Sequence, residues 1–221
     1  MRSFRPLLAS LLLSNVLLCS AQAAQPATPA QYNDPLVQDI ERYLLLYSAT
    51  GDERFLERLN SLGVVLEQKL ATQDKAASLK DIWQLYQQTL VKVRDAYGKK
   101  GVDLKQAVKQ TREVGDLFNT FLIAGSDPQP KLLAELRELA LLEARKANGK
   151  LLGVATEKDT KRIGELQESV QQQLQALPAN SDRDGLLMRW SYLRKTETDK
   201  GTLLYPFNAQ IEYLTTHLPQ S

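Results

Sequence analysis

Cysteine and histidine are almost missing from this chain. Its 221 residues hold one cysteine, Cys19, and one histidine, His217. Without a cysteine pair there is no intrachain disulfide and no Cys-x-x-Cys-His haem attachment. Without a second histidine no zinc or copper site of the usual kind is expected. Without an internal histidine there is no ordinary Ser-His or Cys-His nucleophile system. His217, four residues from the C-terminus, reads as a solvated residue. Phosphate-cradling loops are missing too, because Gly149, Gly153 and Gly164 have neither the spacing nor the strand context they need. Asn-x-Ser/Thr does not occur, since Asn60-Ser61-Leu62, Asn119-Thr120-Phe121 and Asn180-Ser181-Asp182 all fail. No segment alternates with period two, so no sheet is expected. No cofactor, metal site or catalytic residue is assigned.

What is present begins at the N-terminus. Arg2 and Arg5 form a basic start, Pro6 to Leu18 is almost wholly apolar, and Ala21-Gln22-Ala23 is a small-x-small cleavage site. These are the three parts of a secretory signal peptide, residues 1–23, cleaved after Ala23. The apolar run falls short of the roughly 20 residues that span a bilayer. The competing readings are an uncleaved anchor and lipidation at Cys19. Lipidation needs a small residue where Leu18 stands. A secreted eukaryotic chain of this size usually carries disulfides and glycosylation sites, so the expected setting is a bacterial periplasm. Cleavage removes two arginines and no acid. Of 28 basic and 26 acidic residues, 28 − 2 = 26 basic ones remain, for a formal charge of zero. A neutral chain offers no overall electrostatic reason to bind nucleic acid or anionic lipid. Leu132 to Leu142 is the longest later apolar stretch, and Glu135, Arg137 and Glu138 interrupt it, so the mature protein is expected to be soluble, with no transmembrane anchor.

Residues 24–33, rich in Ala, Gln, Pro and Thr, read as a mobile leader. Asp34-Pro35 then predicts a helix start, with Asp34 as N-cap. Leu36, Val37, Ile40, Tyr43, Leu44 and Tyr47 follow at helical spacing. Gly51 predicts a stop and Asp52 a new cap, leading to the stripe Leu59, Leu62, Leu66 and Leu70. Ser78 with Asp81 resembles a capping box before Leu79, Ile82, Trp83, Tyr86, Leu90 and Val93. Gly98 and Gly101 break that helix. Leu104 to Leu122 forms another, with Phe118 and Phe121 on its stripe. Gly125-Ser126-Asp127-Pro128-Gln129-Pro130 is the strongest punctuation. Beyond it, Leu132, Leu136 and Leu139 open a helix that Asn148-Gly149 is expected to weaken. Ile163, Leu166, Val170 and Leu174 form the next stripe. Leu186, Trp190 and Leu193 follow, and a last helix spans about Thr202 to Leu218. The stripe from Ile163 lies 104 residues after the stripe from Leu59, and a tryptophan helix follows each. The expected fold is an all-α, up-and-down bundle of about six to seven helices. It has two related halves, 34–126 and 131–218, packed as one domain.

Candidate chemistry is sparse. Glu135, Glu138 and Glu143 mix with Arg137, Arg145 and Lys146, and Glu53 and Glu57 mix with Arg54 and Arg58. Both read as solvated faces with short-range ion pairs. Trp83, Tyr86, Trp190 and Tyr192 read either as core or as the walls of an interhelical pocket. In the pocket reading Arg189 or Arg194 holds an anionic ligand group, and Tyr43 and Tyr47, one turn apart, join the lining. The ligand-binding candidates are therefore Trp83, Tyr86, Arg189, Trp190 and Arg194. The basic stretch from Lys92 to Lys109 reads as a solvated connection, or as a peripheral membrane or partner contact.

The segment from Tyr43 to Leu59, YLLLYSATGDERFLERL, resembles the extracytoplasmic helical-bundle sensor domains of bacterial chemoreceptors and sensor kinases. There a leucine-rich helix often runs into Thr-Gly-Asp-Glu and a Leu-Glu pair. The likeness covers roughly 20 residues, and no ligand residue carries over. Those receptors continue into a transmembrane helix and a cytoplasmic region, which this sequence does not show. The resemblance thus implies a free periplasmic relative that binds a ligand or docks onto a membrane partner. The leading expectation is a non-enzymatic periplasmic binding or accessory protein, engaging a small ligand or an envelope protein through a pocket or bundle face. The alternative is a structural or chaperone-like envelope factor acting through an apolar face.

Overall fold

Helix boundaries in the computed structural model fall largely where the chain's punctuation places them. The structure describes residues 35–71, 77–99, 103–121 and 129–219. The expected signal, leader and Asp34 cap lie outside these, as do Leu122, most of the loop before Lys131 and the side chains of Ser78, Leu79, Phe118 and Phe121. The described residues belong to one compact unit.

Eight helices follow in order among the described residues: α1 (Pro35–Thr50), α2 (Glu53–Ala71), α3 (Ala77–Gly98), α4 (Leu104–Phe121), α5 (Lys131–Leu152), α6 (Glu157–Ala176), α7 (Ser181–Lys195) and α8 (Leu204–His217). The expected all-α bundle is the fold. Pro35 opens α1, where its missing N–H removes no helical bond. Gly51, at φ +67°, ends α1 in a left-handed turn, and its N–H donates to the Tyr47 carbonyl over 2.7 Å. The Asp52 carboxylate then accepts the Arg54 N–H over 3.0 Å, capping α2 as its position predicts. Asn180 caps α7 by accepting the Arg183 N–H over 2.8 Å.

Three local expectations are corrected. Asn148-Gly149 does not weaken α5, which runs on to a left-handed stop at Gly153. Asn148 is buried and donates to the Ser48 hydroxyl over 3.0 Å, so a tertiary partner offsets its poor helix propensity. Gly149 is needed where it stands, because a Cβ there meets the Thr156 methyl at 2.8 Å. The sheet-free expectation fails at one turn, where β1 (Glu197–Thr198) pairs antiparallel with β2 (Gly201–Thr202). Gly201, at φ +124°, supplies the backbone angle that turn requires. Thr202 therefore lies in a strand, and α8 starts at Leu204.

Helices α1 and α5 form the spine and pack on each other. In each half the first helix also packs on the second and the fourth, and the third packs on the fourth. The packing order thus repeats between α1–α4 and α5–α8. Two buried clusters result. One contains Ile40, Leu44, Leu59, Leu66, Trp83 and Tyr86. The other contains Leu136, Ile163, Val170, Trp190, Phe207 and Ile211.

The spine carries the main surprise. Helical spacing predicts one apolar face for α1, yet Glu41 to Ser48 are all buried. Glu41 is 3 % exposed and takes the Arg145 guanidinium at 2.5 Å across the spine. Gly115 of α4 lets this pair close, since a Cβ there stands 3.3 Å from the Glu41 side chain. Glu143, expected on a solvated face, is buried on α5. It accepts from Lys146 over 3.1 Å and from the Thr202 hydroxyl over 2.8 Å. A buried charge is tolerated only when paired and hydrogen-bonded, and both carboxylates have such partners.

Candidate functional site

A cleft of about 340 Å³ lies between α1, α2 and α8. It therefore draws on both halves of the bundle. This volume is at the small end of ligand sites, which run about 300–1,000 Å³. Tyr43 comes from α1, Arg54, Phe55, Glu57, Arg58 and Ser61 from α2, and Tyr205, Asn208, Ala209 and Glu212 from α8.

Local sequence explains why these side chains meet. The Gly51 turn brings the start of α2 back alongside α1. Arg54, Phe55, Glu57 and Arg58 then fall within its first two turns. Phe55 is buried, with its ring centroid 6.2 Å from that of Tyr43 and 6.1 Å from that of Tyr205. This makes a run of three aromatic rings. On α8, Asn208 and Glu212 are four residues apart and share one face.

The polar groups form a connected set. Glu212 Oε1 accepts from the Tyr43 hydroxyl over 2.6 Å and from Arg58 Nε over 2.8 Å. Burial pushes the Tyr43 phenol well above the ordinary range; the neighbouring Arg42 opposes this, and the bond to Glu212 adds to it. The phenol is therefore a fixed donor at physiological pH. Arg54 grips Asp52 through Nε and Nη2, at 2.9 and 2.5 Å, and lies 3.5 Å over the Tyr205 ring. The Arg54 bond holds the Asp52 carboxyl below the usual carboxylate range.

Asn208 is the exception to this pairing. It is 3 % exposed, and its Nδ2 donates to the Leu204 carbonyl over 2.8 Å. A carbonyl only accepts, so this bond fixes which amide atom is nitrogen. Among the described residues the Asn208 Oδ1 has no hydrogen-bond partner, and the atom is closed to solvent.

The residues singled out from sequence are placed apart. Trp83 and Tyr86 stack at 4.6 Å in the first buried cluster. They line a groove of about 110 Å³ between α2 and α3, where Trp83 Nε1 donates to Glu67 Oε1 over 2.8 Å. Gly63 makes room for the indole, as a Cβ there stands 3.0 Å from it. Trp190 is buried in the second cluster. Arg189 lies 4.2 Å over the Tyr213 ring, and Arg194 bonds Glu197 over 2.9 Å. Trp83 and Tyr86 thus share one groove, while Arg189, Trp190 and Arg194 lie on the other half. Tyr47 packs against Tyr97, and only Tyr43 of the tyrosine pair enters the large cleft.

Sequence reasoning placed Arg54, Glu57 and Arg58 on a solvated face and missed Tyr205, Asn208 and Glu212. One available signal was the segment Tyr43–Leu59, quoted above for its resemblance to sensor domains, which supplies five of the ten lining residues. On the basic stretch, Lys92 bonds Gln110 and Lys99 pairs with Asp95. Among the described residues no group of three or more His, Cys, Asp or Glu is placed to hold a metal ion. No described helix is long and apolar enough to cross a membrane. Compared with protein-family models, with curated proteins and with solved structures, the chain shows no match.

Proposed function

We propose that this is an exported, non-enzymatic periplasmic binding protein whose working site is the cleft between α1, α2 and α8. The N-terminal Arg2, Arg5, apolar run and Ala21-Gln22-Ala23 support export. The observation that carries the binding reading is the cleft itself, a concavity of about 340 Å³ lined from both halves of the bundle by the aromatic run Tyr43, Phe55 and Tyr205 and by a few fixed polar groups, the make-up of a small-ligand site.

The test is a thermal-shift screen of the full chain against a broad library of charged and neutral metabolites. Asn208→Leu and Tyr205→Ala serve as site controls. Compounds that raise the melting temperature of the parent and not of these variants support the reading. A library with no such compound refutes it. The alternative, an envelope factor acting through an apolar face, rests on the exposed Val64 and Val65 of α2 and Leu85 and Val91 of α3. Binding of an apolar dye that is lost when these four are made polar favours that reading.

A further inference from the structure

We propose that the protein carries a second site, which takes a phosphate group, free or as a phosphate monoester. It is a cleft of about 170 Å³ between the second half of α5 and the β1–β2 hairpin. Glu143, Lys146 and Lys150 come from α5, at the spacing that sets side chains of successive turns on one face. Lys200, Gly201 and Thr202 come from the hairpin. This cleft shares no lining residue with the one between α1, α2 and α8, and it does not rest on the binding reading above.

The lining is cationic: three lysines stand against one glutamate, a net charge of +2. That glutamate is already spent. Glu143 is buried, its Oε1 accepts from Lys146 Nζ over 3.1 Å, and its Oε2 accepts from the Thr202 hydroxyl over 2.8 Å. The buried carboxylate thus fixes Lys146, whose side chain is only 19 % exposed, in the wall. One of the three N–H donors of Lys146 is used there. The ammonium groups of Lys150 and Lys200 make no ion pair or hydrogen bond with the described residues. The acids of the hairpin do not neutralise them. Asp199 pairs with neither lysine, and Glu197 is held by Arg194 over 2.9 Å and by Gln167 over 2.6 Å.

The hairpin also makes room for a lysine. A Cβ on Gly201 would stand 3.1 Å from Lys150 Nζ. A larger residue there meets the ammonium, so the glycine lets Lys150 lie beside the turn. Three ammonium groups round one concavity raise its potential, which is unfavourable until an anion enters. A phosphate monoester carries about −1.5 to −2 charges at pH 7, which matches the lining. Its oxygens accept several N–H bonds at once, and lysines hold phosphate as point charges. At roughly 30 Å³ per water, the cleft has the volume of a few waters. That admits a phosphate group, with the organic part of an ester lying outside. A carboxylate has a single charge and two oxygens, and matches less well.

The test is backbone amide NMR of the isotope-labelled full chain at fixed ionic strength, titrated with inorganic phosphate, glycerol 3-phosphate and acetate. At least one phosphate is expected to shift the amides of Lys146 to Lys150 and of Lys200 to Thr202, and to bind about tenfold or more tightly than acetate. Tighter binding of glycerol 3-phosphate assigns an organic phosphate, and tighter or equal binding of inorganic phosphate assigns the free ion. Lys150→Met combined with Lys200→Met is expected to weaken phosphate binding by about tenfold or more. Lys161→Met, at an exposed lysine of α6, is expected to leave it unchanged. No saturable shift at these amides overturns the proposal. So does acetate binding as tightly as phosphate, an affinity that survives the double substitution, or an equal loss in Lys161→Met. Lys150 and Lys200 are exposed, so the double variant is expected to fold, and the acetate comparison needs no variant.

Discussion

Replacing Asn208 with leucine is expected to make the free protein more stable. Asn208 is 3 % exposed, and its Oδ1 has no partner among the described residues. Removing a buried acceptor without a donor recovers about 1–3 kcal/mol. The substitution also deletes the bond from Nδ2 to the Leu204 carbonyl, worth about 0.5–1.5 kcal/mol. Leucine has the same number of side-chain heavy atoms as asparagine and replaces its amide oxygen and nitrogen with bulkier methyls, at a residue that borders a cleft of about 340 Å³. The net expectation is a gain of about 1 kcal/mol. In a domain of this size that raises the melting temperature by about 2–4 °C. The assay is calorimetry or circular dichroism of the ligand-free chain, in which stability should rise. A fall of more than about 4 °C refutes the reasoning, because about 1 kcal/mol of net loss means that Oδ1 already has its hydrogen bond in solution.

Three further outcomes follow from the packing. Arg145→Ala removes the guanidinium from Glu41, which is 3 % exposed. The expected loss is about 3 kcal/mol, at the low end for a buried pair because Arg145 keeps some access to water. Its melting temperature falls by about 6–12 °C, and adding Glu41→Gln recovers part of that fall. Gly51→Ala places a Cβ 2.7 Å from Tyr97 at φ +67°. The left-handed backbone alone costs about 1–2 kcal/mol, and displacing the ring adds to it, so the urea midpoint drops; an unchanged midpoint contradicts the turn geometry. Burial pushes the phenols of Tyr43, Tyr47, Tyr86 and Tyr97 above their ordinary value. A pKa raised by folding means that the stability tied to the protonated phenol is complete below the unfolded value near 10 and is lost as pH rises through the folded value. Absorbance at 295 nm should show the amplitude of these four phenols only with alkaline unfolding. Complete titration with the helical signal intact contradicts this.

Local rules carried much of the fold. Pro35, Gly51, Asp52 and Asn180 mark helix ends by backbone angle and capping chemistry, which neighbours along the chain decide. The stripes Leu59–Leu66–Leu70 and Ile163–Leu166–Val170–Leu174 are buried as their period requires. The α1 reading was incomplete because period counting finds one apolar face, whereas α1 packs on α2, α4 and α5 together. A helix enclosed on three sides buries Glu41 and Arg42 along with its leucines.

The cleft was the least legible part, because its residues come from two stretches far apart in the chain, Tyr43 to Ser61 and Tyr205 to Glu212. Arg58 and Glu212 each look like an ordinary surface charge within their own helix. Their pairing at 2.8 Å exists only because the second half of the bundle folds back on the first. The near-absence of cysteine and histidine and the signal-like start were properties of the sequence alone, since they depend on composition and short-range order. Which polar atoms are buried, which are answered and which stand open was decided by the tertiary structure. Burial and hydrogen bonding depend on what the rest of the chain brings alongside each atom.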